Sequence, residues 1–160
     1  MNINSLSQKY SVRKLDENDV DIIYDMSCKN DIFYRYHPPF VTRESILDDM
    51  GALPPGKGYD DKFYVGFFEN DSLVGLMDLI LDYPEKEISF IGLFMTDTRY
   101  QNRGVGSGII SDVILCLKSS GYKEIRLGVD KGNPQSYSFW TKNKFTPIRE
   151  DTYILMGLRI

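Results

Sequence analysis

One stretch of this chain gathers residues suited to holding an anion. RYQNRGVGSGII, Arg99 to Ile110, brings three glycines and two arginines to the start of a predicted helix. Glycine is about 1 kcal/mol worse than alanine inside a helix, so crowding it into a first turn needs a reason. Gly104 and Gly106 remove the β-carbons that would hold a ligand away from the backbone. The unbonded N–H groups of a helix start, with the helix dipole behind them, attract negative charge. Arg99 and Arg103 add cationic groups suited to phosphate oxygens. The expected chemistry is phosphate binding by Gln101 to Ser107; a tight strand-to-helix turn with glycines for packing would use the same residues.

Groups able to move a proton are sparse. Asp78 falls in the middle of a predicted strand and Glu87 at the start of another, where each could be a general base or a solvated strand residue. His37 is the only histidine and lies in an aromatic loop, FYRYHPPF. Phe33, Tyr34, Tyr36 and Phe40 there, followed by Asp48, Asp49, Asp60 and Asp61, suit a cationic amine as well as a packed loop with a solvated rim. Cys28 and Cys116 have no metal-type spacing, so two reduced, buried thiols and no metal are expected.

The elements that must position these groups follow from periodicity and turn chemistry. Tyr10–Leu15 alternates as a strand, and an acid-led helix follows it. Thr42 caps a short helix, with Ser45 at its third position. Lys62–Glu69, Leu73–Asp82 and Ile88–Thr96 read as an antiparallel meander turned at Asn-Asp-Ser and Tyr-Pro-Glu-Lys-Glu. The glycine-rich stretch then opens a helix, apolar on two sides, that Gly121 ends. A strand, KEIRLGVD, leads to a helix with Asn133 as N-cap and Pro134 at its first position, with Asn143 expected in the left-handed conformation after it. FTPIRE and TYILMGLRI close the chain as strands. The expectation is one α/β domain over residues 1–160, a mixed and mostly antiparallel sheet with helices on its faces.

At 160 residues and 42% hydrophobic content the chain can bury one core without staples. A net charge of −4 argues against a nucleic-acid binder. No leader-type segment and no apolar run of about 20 residues is present, so a cytoplasmic protein without membrane contact is expected. Neither the glycine stretch nor PPGKGYD has Walker spacing. A dinucleotide fingerprint places Gly or Ala where Ile109 stands and opens its domain rather than following a meander, although Asp130 does end the next strand.

Gln101-Asn102-Arg103-Gly104-Val105-Gly106 matches Q/R-x-x-G-x-G/A. NPQSYSFWTKNKF, with Asn133 leading an aromatic helix and Phe145 entering a strand, adds a second segment. On these motifs and the element order, nearly the whole chain resembles the GCN5-related N-acetyltransferase superfamily. The resemblance implies an acyl-CoA N-acyltransferase fold of six or seven strands, whose fourth and fifth strands splay to admit pantetheine. It implies acetyl-CoA as co-substrate and an amine as acceptor, in a monomer or homodimer. The backbone of Phe94 and Met95 would bond the pantetheine, Gln101, Asn102, Arg103, Gly104, Val105, Gly106 and Ser107 the pyrophosphate, and Asn133 and Trp140 would face the coenzyme. Trp140 stands where the family often has the tyrosine that protonates the leaving thiolate, and Lys144 where glycine is common. Tyr137, one turn earlier, is the nearest phenol, with Glu87 or Asp78 as base. The departure at Trp140 keeps a non-catalytic acyl-CoA sensor open beside the enzyme.

Overall fold

The structure is a computed structural model that describes residues 1–160. Four strands pair in chain order, each antiparallel to the last: β1 (Ser11–Lys14), β2 (Lys62–Glu69), β3 (Ser72–Ile80) and β4 (Ile88–Thr96). The β2–β3 turn is tight because Asn70 accepts a left-handed backbone, φ 53°. The remaining strands are β5 (Glu124–Val129), β6 (Thr146–Glu150) and β7 (Ile154–Arg159), and the seven-stranded order is β1-β2-β3-β4-β5-β7-β6. Only β4 and β5 are parallel, joined through the crossover helix α4 (Val105–Ser119).

Each face of the sheet buries its own cluster. On one face α4 contributes Ile109, Ile110, Val113 and Leu117, and α5 (Pro134–Lys142) contributes Trp140, against Val65, Phe67 and Leu127. On the other, α1 (Val20–Ser27) and α3 (Arg43–Gly51) bring Ile23, Met26 and Ile46 onto Tyr64, Leu76 and Met95. Thr42 caps α3 as expected, and Ser45 completes the capping box with a bond of 3.0 Å to the Thr42 N–H. No helix is long and apolar enough to cross a membrane.

Three local expectations are corrected. Cys116 is buried, but Cys28, just past the end of α1, is only partly so. The aromatic segment is not a loop throughout: residues Asp31–Tyr36 form α2, with Asp31 in its first turn and Arg35 in its last. The prolines that suggested a loop lie beyond its end, at positions 38 and 39. After α5 the left-handed residue is Lys144, φ 72°, while Asn143 stays at φ −87°. The Asn143 side chain is engaged elsewhere, donating 2.8 Å to the Phe139 carbonyl and 3.1 Å to Ser107 Oγ.

Candidate functional site

The site begins where the sheet stops being a sheet. β4 and β5 pair from Ile88 to Ile91 against Glu124 to Leu127 and then part. The bend has a local cause. Opposite β3, Asp78 pairs with Leu93 and Leu79 with Ile91, so Gly92 is the extra residue of a β-bulge. A side chain there would come within 3.1 Å of Asp78 Oδ2. Past the bulge, β4 keeps only β3 and β5 keeps only β7. A cleft of about 710 Å³ opens between them, large enough for a sizeable ligand.

Phe94, Met95, Gln101, Asn102, Gly104, Val105, Gly106, Ser107, Asn133 and Trp140 all line this cleft. No backbone N–H from Asn102 to Ser107 has an acceptor within the protein. The three glycines have three different local settings. Gly104 is the N-cap of α4 at φ 76°, a conformation L side chains resist. A β-carbon at Gly106 would meet the Phe139 ring at 3.1 Å, so packing as well as ligand approach asks for glycine there. Gly108 faces open space. Arg103 is an exposed residue of the loop and, alone of the expected pyrophosphate residues, lies outside the cleft lining. Arg99 is not free as a phosphate group: it turns back on buried Asp97, Nε to Oδ1 at 3.0 Å and a terminal nitrogen to Oδ2 at 3.1 Å. Burial works against the Asp97 carboxylate, but these bonds win and hold it below the usual carboxylate range.

The opposite wall is α5. Asn133 is 3% exposed and accepts 3.1 Å from the Ser136 N–H, so it caps the helix and faces the cleft at once. Trp140 sits in an aromatic group with Phe94, Phe139 and Phe145, at centroid separations of 6.0, 5.0 and 5.1 Å. It is both core and cleft wall. Tyr137, on the same helix, is 38% exposed and lies outside the lining.

The two carboxylates separate clearly. Glu87 precedes β4 at its paired end, is half-buried, and forms an ion pair with Lys123. Seven residue steps, roughly 23 Å at ~3.3 Å each, divide it from Phe94, and it does not line the cleft. Asp78 lies on the α1/α3 face, beside the bulge, with Oδ2 2.7 Å from Lys62 Nζ. Its Oδ1 is buried without a partner. Burial raises the Asp78 carboxyl above its ordinary value, against the pull of Lys62. Tyr64, also on that face, is raised steeply by the same loss of water.

Asn30 was not foreseen. It is 8% exposed, lines the cleft, and accepts 2.7 Å from Gln101 Nε2. Its signal in the sequence is an Asn before Asp31, a helix-start pattern hidden by the aromatic run. His37 does not enter the cleft; Nδ1 lies 3.0 Å from both oxygens of Asp130.

The family model described as Acetyltransferase (GNAT) family matches residues 26–145. No curated protein matches the chain in sequence. Solved structures do match in fold. An acetyltransferase from Thermus thermophilus aligns over 100% of both chains at 17% identity, TM-score 0.80. The PaiA N-acetyltransferase of Thermoplasma acidophilum, solved with coenzyme A, aligns over 94% of this chain and 98% of its own, at 18% identity and TM-score 0.71. The ribosomal-protein-S18-alanine N-acetyltransferase of Escherichia coli aligns over 94% and 93%, at 14% identity and TM-score 0.66.

Proposed function

The chain belongs to the acetyltransferase (GNAT) family, and from that premise we propose that it moves an acetyl group from acetyl-CoA to a primary amine of a small molecule or a polypeptide. The observation that carries this reading is the run of unbonded N–H groups from Asn102 to Ser107 at the mouth of the β4–β5 opening. The run suits the pyrophosphate, and the unpaired edge of β4 at Phe94 and Met95 suits the pantetheine amides as a substitute strand. Asn133 and Trp140 form the facing wall.

The neutral amine attacks the thioester carbonyl, its proton is taken up, and the carbon–sulfur bond breaks to release coenzyme A. Asp78 is the proposed proton acceptor, through water, because its carboxyl is raised and its Oδ1 has no partner; its side chain flanks the bulge and does not itself line the cleft. A thiol with a pKa of about 8.5 leaves as thiolate with little help. Tyr137, 38% exposed on α5, is given no role. Tryptophan in place of a titrating phenol at position 140 favours one rival, an acyl-CoA-binding domain without turnover.

Calorimetric titration with acetyl-CoA, with NAD as control, tests the site. Saturable binding of acetyl-CoA and none of NAD is expected; the absence of acetyl-CoA binding would refute the reading. Release of free thiol from acetyl-CoA in an amine panel then separates enzyme from sensor.

A further inference from the structure

Helix α2 is tied by polar side chains to both arms of the open wedge. At its leading end, Asn30 accepts from Gln101 at 2.7 Å, and the Asn30 and Gln101 amides both donate to the Thr96 carbonyl, at 3.4 and 3.1 Å. Thr96 ends β4, and Gln101 opens the loop to α4. At its trailing end, His37 donates from Nδ1 to the Asp130 carboxylate at 3.0 Å. Asp130 directly follows β5, and its carbonyl accepts 3.2 Å from the Asn133 N–H. The Tyr36 ring approaches to 4.0 Å of where a β-carbon on Gly132 would stand.

The dimensions agree. From Asn30 to His37 a helix rising 1.5 Å per residue covers about 10 Å, roughly twice the ~4.8 Å between paired strands. A rod of that length held at both ends keeps the strand ends from closing to pairing distance. Without it, the bare backbone of β4 past Gly92 would face the end of β5, and unpaired strand edges tend to pair.

We propose that α2 is a strut, and that His37 and Asp130 are positioning residues that hold the wedge at coenzyme width before any ligand arrives. The proposal rests on the reading of the cleft as the acetyl-CoA site. Neither residue lines the cleft, so their effect on affinity is one of preorganisation.

The test uses His37→Ala, Asp130→Ala, the double variant, and the exchanged pair His37→Asp with Asp130→His. Acetyl-CoA affinity is measured by calorimetry, and backbone hydrogen exchange of residues 31–36 is followed without ligand. The pair is partly exposed, so each single change is expected to weaken binding by about two- to fivefold. The double variant should bind no more weakly than the worse single one, and the exchanged pair should recover affinity. Amides of α2 should exchange faster in both single variants. Unchanged affinity, additive losses, or no recovery by the exchanged pair would overturn the strut. A wild-type protein that fails to bind acetyl-CoA would instead refute the coenzyme reading. The exchange measurement still decides the strut in that case: equal α2 rates in wild type and variants overturn it.

Discussion

Asp78 lies within β3 and Glu87 in the turn just before β4, and the bulge separates them. At Gly92 an extra residue turns β4 away from β5 and sets Asp78 beside the opening on the α1/α3 face, while Glu87 stays at the paired end with Lys123. Composition carries no trace of this, because a bulge is a property of two strands in register and not of one. The glycines were more legible. Crowding at a helix start pointed to the loop, although only the structure separates the left-handed Gly104 from Gly106, which faces Phe139. The role proposed for Asp78 has a pH signature. A base must be ionised, so activity with any amine accepted in the panel should fall as pH drops through the raised Asp78 value. Asp78→Asn should lower kcat/KM by about 10²-fold or more and abolish that acidic limb. A pH profile of the same shape as wild type would remove Asp78 from the reaction.

At the scale of elements, the meander from β2 to β4 was readable because its turn residues and alternation are local. Helix α2 was not. A six-residue helix has too few internal bonds to announce itself, and its support comes from distant partners at Gln101 and Asp130. The turn after α5 errs in the other direction. Asn143 has the residue type for a left-handed position, yet its side chain is bonded to Phe139 and Ser107, and Lys144 takes the strained conformation. Lys144→Gly should therefore stabilise the fold, by about 0.5–1 kcal/mol once glycine's own unfolded-state entropy is set against relieved strain. Urea denaturation of the two proteins measures this; equal midpoints would show that Lys144 carries no strain.

Across the whole molecule, β1 to β4 make one antiparallel sheet and β5, β7 and β6 another, joined in the sheet by the stretch from Ile88 to Ile91. The hairpins β2–β3, β3–β4 and β6–β7 announce themselves through their turns, whereas this parallel contact joins strands separated by a helix and has no local mark. Its brevity has a consequence for the chain cut in two. A break after exposed Gly121, between α4 and β5, divides the molecule into fragments 1–121 and 122–160, with the glycine loop on the first and Asn133 and Trp140 on the second. A ligand held by both halves stabilises their union by mass action, by about 2.7 kcal/mol at a hundred times its Kd. Acetyl-CoA should then drive reassembly, read out by the fluorescence of Trp140, the only tryptophan in the chain. The pieces also share a core through Ile125, Leu127, Trp140 and Phe145, so the readout is a shift of their association with acetyl-CoA concentration, the working principle of a split sensor.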